Sequence, residues 1–332
     1  MKRALLLLSA VVLAGCSSTA ATTTPTTAPV VTTGPVVTTA PVATTAVVAT
    51  KDPSTITIAY SGYSTSNTYW NILGVSAKTE AAKLGVNFVD ITATVNDAPT
   101  QLAAVNTELS QKPSLLIIGS VNNSVFGTSI ATAKAANIPI LAVDTGIDDP
   151  YISALIQTDN EGAGTLIGKQ MCTDTAGKGT ALVLGGTVGA QSGDARQKGV
   201  ADAAAACGLK VDKQNGDWDA VKDVTIATST IASTPDLSAI FVPHSDGAAA
   251  VAKAVADKGK TGTIKVYGFD GSAAEITAIL NGTEAASIHQ DNVGMGKSIV
   301  DDAVTILNGG TVQKVVLIPP ILINMANAST FK

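Results

Sequence analysis

Nine side chains suited to holding an oxygen-rich molecule share one kind of position in this sequence. Each comes shortly after an apolar run. Asn67, Tyr69 and Trp70 follow the run at 55–60, and Asp144 follows 138–143. Arg196, on "GDARQKGV", comes after 179–185, and Trp218 after "LKVDKQNG". His244 follows 237–242, Asp270 follows 263–269, and Gln290 follows 284–289. An ionised carboxylate accepts from two adjacent hydroxyls, a guanidinium donates in a planar fork, and an amide does both. Aromatic rings cover the C–H faces that hydroxyls leave bare. The set therefore fits a sugar or polyol. Each residue also has a plainer reading: either Trp as core, Asp144 and Asp270 as helix N-caps, and Arg196 as one half of a surface ion pair.

What must position these residues is legible as an alternation. Apolar, β-rich runs occupy 55–60, 86–91, 114–119, 138–143, 179–185, 209–212, 237–242, 263–269 and 284–289. Ala-rich stretches of helical length separate most of them, among them "WNILGVSAKTEAAKLG", "SVFGTSIATAKAANIP" and "GAAAVAKAVADKGK". Strands apolar throughout, alternating with helices, imply parallel sheets covered on both faces. The pattern runs twice, before and after about residue 158. About 280 residues from Ser54 onward are long for one core. The expectation is α/β, with two doubly wound parallel-sheet lobes. Ligands of such sheets sit beyond the carboxyl ends of the strands, which is where the nine residues fall.

Other chemistries lose support. The net charge is −5, from 21 Lys and Arg against 26 Asp and Glu, and no basic run offers nucleic acid a footing. The glycines of "LGGTVGAQSG" miss the G-x-G-x-x-G spacing, and "AGTLIGKQ" has Ala163 and Gln170 where a phosphate loop needs Gly and Ser or Thr. The two histidines, His244 and His289, match no metal-ligand spacing. His289, beside Gln290 on one strand, should face away from the cleft and serve structure. No cofactor and no metal are expected. An enzyme using Asp144 or Asp270 as acid or base is the weaker alternative.

The amino terminus carries a separate message. Lys2 and Arg3 precede the apolar run "ALLLLSAVVLAG", too short to span a bilayer as a helix and shaped as a secretory signal over 1–15. "LAGC" resembles the bacterial lipobox, which implies lipidation at Cys16; a plain signal peptide cut nearby is the alternative. Residues 16–53, built of Thr, Ala, Val, Ser and Pro, should form a disordered tether reaching on the order of 100 Å. Thr beside Pro also invites O-glycosylation. Export makes a Cys172–Cys207 disulfide the expectation for the remaining cysteines, against two buried thiols.

The stretches "NIPILAVDTG", "TDNEGAG", "DARQKGV", "VYGFDGS" and "ASIHQDNVGMG" together resemble the type I periplasmic sugar-binding proteins, nearest the ribose, allose and galactose branch. The resemblance spans nearly all of 54–325. It implies lobes of 54–158 plus 291–319 and of 159–290 plus 320–332, joined by a three-strand hinge with crossings near 158, 290 and 319. It implies that all nine residues contact a sugar or polyol, and that the closed, monomeric protein delivers it to an ABC permease from the outer face of the cytoplasmic membrane. A membrane signalling partner is the alternative. Three positions depart from the ribose pattern: Thr145 replaces an Arg, His244 an Asn, and Trp218 a smaller ring. Loss of the charged fork at 145 points from ribose towards another pentose, a hexose or a linear polyol.

Overall fold

The computed structural model describes residues 51–331, and the signal at 1–15, Cys16 and the tether up to residue 50 lie outside them. In chain order the strands are β1 (Thr57–Ser61), β2 (Asn87–Asp90), β3 (Leu115–Ile118), β4 (Ile140–Val143), β5 (Ile152–Thr158) and β6 (Thr180–Gly185). They continue as β7 (Lys210–Asn215), β8 (Leu237–Phe241), β9 (Lys265–Tyr267), β10 (Ala286–His289), β11 (Val315–Ile318) and β12 (Ile321–Asn324). One six-stranded sheet has the order β11-β5-β4-β3-β1-β2, the other β12-β10-β9-β8-β6-β7. Pairing is parallel throughout, except that β12 runs antiparallel to β10.

Strands β3, β4 and β6 are buried at every residue, as the unbroken apolar runs require of sheets covered on both faces. Successive side chains leave opposite faces of a strand. Leu115 and Ile117 accordingly enter one core layer while Leu116 and Ile118 enter another, and Ala181 and Val183 part in the same way from Leu182 and Leu184.

The helices are α1 (Thr68–Leu84), α2 (Ala98–Ser110), α3 (Gly127–Ala135), α4 (Asn160–Thr175), α5 (Gln191–Ala206), α6 (Ala220–Ser233), α7 (Ser245–Asp257), α8 (Ala273–Leu280) and α9 (Asn292–Leu307). Most begin on a side-chain cap, including Asn67 for α1, His244 for α7 and Ser272 for α8. Neither Asp144 nor Asp270 is the N-cap residue of a helix; α8, which follows Asp270, is capped by Ser272. Both aspartates adopt positive φ, 61° and 100°, in the turns that follow β4 and β9, so the N-cap reading of these two carboxylates does not hold. Trp70 sits in the first turn of α1 rather than in the loop before it.

The chain passes between the sheets three times: after β5, after β10, and between β11 and β12. Strands β5, β11 and β12 were not among the nine apolar runs. A disulfide joins Cys172 on α4 to Cys207 just beyond α5, with Cα atoms 6.0 Å apart. Among the described residues no helix is long and apolar enough to cross a membrane.

Candidate functional site

The nine expected residues line one narrow cavity of about 30 Å³, between side chains carried by the two sheets. Asn67, Tyr69, Trp70 and Asp144 come from the first sheet's side. Arg196, Trp218, His244, Asp270 and Gln290 come from the second. Positions just past parallel strands converge because every such strand points its carboxyl end the same way.

Arg196 is the fixed point. It is 3% exposed, and three of its donors are committed. Nε donates to Asn160 Oδ1 (2.8 Å), Nη1 to the Pro243 carbonyl (2.8 Å), and Nη2 to Gln290 Oε1 (3.1 Å). Its guanidinium carbon lies 3.8 Å from the centre of the Phe269 ring, a desolvated cation–π contact. Two N–H groups remain for the cavity, since a guanidinium has five. Nη2 stands 3.9 Å from Asp144 Oδ1 and Nη1 3.9 Å from Asp270 Oδ1, so one cation faces two carboxylates.

The carboxylates are held differently. Asp270 accepts from the Ser245 amide (3.0 Å) and from Gln290 Nε2 (2.7 Å). Burial pushes its carboxyl up from the ordinary range, and Arg196 is the chief opposing influence. Asp144 accepts from the Tyr69 hydroxyl (2.8 Å) and the Thr145 hydroxyl (3.2 Å). Burial, then the charge of Asp144, pushes the Tyr69 phenol well above its usual value, so it stays a donor. Thr145 Oγ1 also lies 3.1 Å from Ser192 Oγ, a contact between the two sides of the cavity.

The aromatic walls need glycine behind them. A Cβ built on Gly119 would fall 2.2 Å from the Trp70 ring, and one on Gly186 would fall 2.2 Å from Trp218. Either ring reaches its place only because the strand end beneath it lacks a side chain. Tyr63 stacks on Trp70 with centroids 6.1 Å apart, and Trp218 meets His244 edge-on at 5.8 Å. His289 lies outside this cavity, against Phe331 at 5.3 Å.

Sequence reading missed Tyr63 and Ser192 in the lining, and Asn160 and Asp223 behind it. Tyr63 stood in the same loop as Asn67, where position after a strand would have found it; Asn160 lay within "TDNEGAG", behind β5, a strand not among the apolar runs. Ser192 and Asp223 lie within the first turns of α5 and α6, where nothing in the sequence marks them. Among the described residues no three His, Cys, Asp or Glu side chains are grouped to hold a metal.

Residues 58–311 match the family model described as a periplasmic binding protein domain. The ribose import binding protein of Bacillus subtilis is 27% identical over 264 residues, covering 79% of this chain and 85% of that one. The D-allose-binding periplasmic protein of Escherichia coli is 28% identical over 244 residues, covering 70% and 78%. A solved carbohydrate transporter solute binding protein from Agrobacterium radiobacter, in complex with D-arabinose, superposes with a TM-score of 0.78 at 25% identity, covering 82% of this chain and 96% of that one.

Proposed function

We propose that this chain, which belongs to the periplasmic binding protein domain family, captures a monosaccharide or polyol between two lobes and hands it to an ABC importer. The family is one of solute binding rather than catalysis, and its place is extracytoplasmic. The observation that carries the ligand class is the cavity itself, where Asp144, Asp270 and Arg196 lie together, faced by Tyr69, Trp70 and Trp218. Two carboxylates against one guanidinium favour a ligand that brings donors, and repel sugar acids and phosphates by like charge. Charged hydrogen bonds of this kind contribute about 1.5–3 kcal/mol each. A ligand lacking the matching hydroxyl would leave a buried group unpaired and be rejected.

The division into lobes of 54–158 plus 291–319 and of 159–290 plus 320–332 is part of this reading. The three passages between the sheets support it. So does Gln290, whose Oε1 accepts from Thr158 at 2.7 Å and thereby links two of the crossings. Lipidation at Cys16, a tether over 16–53 and a monomeric state complete the proposal, resting on the sequence.

A thermal-shift panel of pentoses, hexoses and polyols tests the ligand class. The expected outcome is a raised melting temperature with at least one of them. A rise with an amino acid or nucleoside and with no sugar or polyol would overturn it. Mass spectrometry of the membrane-extracted protein tests the anchor: the mature chain should begin at a diacylglycerol-modified Cys16, and an unmodified amino terminus elsewhere would refute it.

A further inference from the structure

His244 lines the cavity and is 4% exposed, yet its ring is fully engaged by the protein. Its Nδ1 accepts from the Gly247 amide at 3.3 Å, capping α7. Its Nε2 lies 2.7 Å from Asp223 Oδ2, a carboxylate with no exposure at all. A backbone N–H can only donate, so Nδ1 carries no proton. The one proton of a neutral imidazole is then on Nε2, where the carboxylate receives it. An imidazolium would set Nδ1–H against the Gly247 N–H, and the opposite tautomer would do the same. The alternative of a protonated Asp223 donating to Nε2 would leave both ring nitrogens as acceptors, which a neutral imidazole does not offer.

We propose that Asp223 and the Gly247 amide hold His244 as the Nε2–H imidazole with both nitrogens spent, so that the ring meets the bound molecule only through its carbons. Asp223 is thereby a positioning residue, and His244 sets specificity by withholding hydrogen bonds. The consequence rests on the sugar or polyol reading above. Against the His244 ring, with Trp218 edge-on to it, the ligand turns a C–H face rather than a hydroxyl. The hydroxyls are read by the charged groups that line the same cavity, Asp144, Arg196 and Asp270.

Two measurements test this. The first needs no ligand: nitrogen NMR of ring-labelled histidine in the intact protein at neutral pH should show His244 as the Nε2–H tautomer. The Nδ1–H tautomer or an imidazolium would overturn the proposal whatever the ligand proves to be. The second uses D-allose, D-arabinose or xylitol, whichever stabilises the parent protein. The double variant His244→Phe with Asp223→Leu removes both polar partners together and keeps a ring against Trp218. Its loss of affinity should be smaller than that of Asp270→Asn, which loses tenfold or more in the same assay. A folded double variant that loses as much as Asp270→Asn would show that His244 does hydrogen-bond the ligand. If the double variant does not fold, the tautomer decides. If none of the three probes binds, another pentose, hexose or polyol that stabilises the parent takes their place; if none on the whole panel binds, the sugar reading is what has failed, and the NMR result still stands.

Discussion

Converting Asp270 to Asn keeps the shape of the side chain and places an amide N–H₂ against groups that already donate. Ser245 N–H and Gln290 Nε2 both point at this carboxylate, at 3.0 and 2.7 Å. One of them, or a ligand hydroxyl, must lose its acceptor. We expect a sugar or polyol to bind about 10–150-fold more weakly, the equivalent of roughly 1.5–3 kcal/mol, as measured by calorimetric titration. A variant binding as tightly as the parent would remove Asp270 from the ligand's contacts. Gly119→Ala tests the aromatic side. The added methyl has no room unless the Trp70 ring, 2.2 Å from it, moves. Overpacking of this kind typically destabilises by about 1–3 kcal/mol, and the displaced ring should forfeit most of the binding. Intrinsic fluorescence gives the complementary reading: Trp70 and Trp218 both line the cavity, so the parent spectrum should change on saturation with ligand. An unchanged spectrum would count against the site. At this scale the sequence was informative because post-strand positions are few and the chemistry of Asp, Arg and Trp is distinctive. It was silent about conformation. The left-handed backbone of Asp144 and Asp270, which separates them from N-caps, is set by turns whose geometry no local residue pattern announces.

One corner of the fold, α8 with the start of β10, carries a buried pair of acids. Glu275 accepts from the Ser272 amide at 2.8 Å and the Ser287 hydroxyl at 2.8 Å, and Glu284 is 3% exposed. Burial, then the charge of Asp270, pushes Glu275 up to about 8. Burial, then the charge of Glu275, pushes Glu284 well above its ordinary value too. An unfolded glutamate titrates near 4.3, so between that value and about 8 the folded chain holds protons that the unfolded chain has released. Stability therefore falls as pH rises through this window. The melting temperature should be higher at pH 5.5 than at pH 8.5, and Glu275→Gln, a mimic of the protonated acid, should flatten the difference. An equal or steeper dependence in that variant would exclude the pair as its source. The disulfide is an element-scale device of another kind. It closes a segment of 35 residues, for which loop entropy suggests about 3–4 kcal/mol. Cys172 lies about 18 Å along α4 from Asn160, the partner of Arg196. Reduction should thus lower the melting temperature and leave ligand affinity nearly unchanged. Three elements escaped the sequence reading for physical reasons. Strand β5, "ISALIQT", alternates buried and half-buried residues and so lacks the unbroken apolar run of its neighbours. Strands β11 and β12 are sheet-edge strands of four residues each, split by Pro319 and Pro320, so "VVLIPPILIN" reads as one interrupted stretch rather than as two strands in different sheets.

On the proposed reading, binding between two lobes requires that the molecule open, and the structure offers a place to stop it. Thr145 follows β4 of one sheet, and Ser192 lies on α5 against the other; their hydroxyl oxygens are 3.1 Å apart. That contact, with the 3.9 Å approach of Arg196 to Asp144, spans the cavity. Two of the passages between sheets, by contrast, are tied together by Gln290, which joins Thr158 to Arg196 through one oxygen. Opening can therefore break the first set while sparing the second, the arrangement expected of hinge closure. Replacing Thr145 and Ser192 together by cysteine would convert the cross-cavity contact into a covalent latch. Oxidised after saturation with a sugar or polyol that stabilises the parent, the double variant should release it at least a hundredfold more slowly, and reduction should restore the parent rate. Oxidised while empty, it should exclude the same ligand. A latched protein that exchanges ligand as fast as the reduced one would mean that the cavity is reached without separating the lobes, and the hinge account would fall while the chemistry of the nine residues stood.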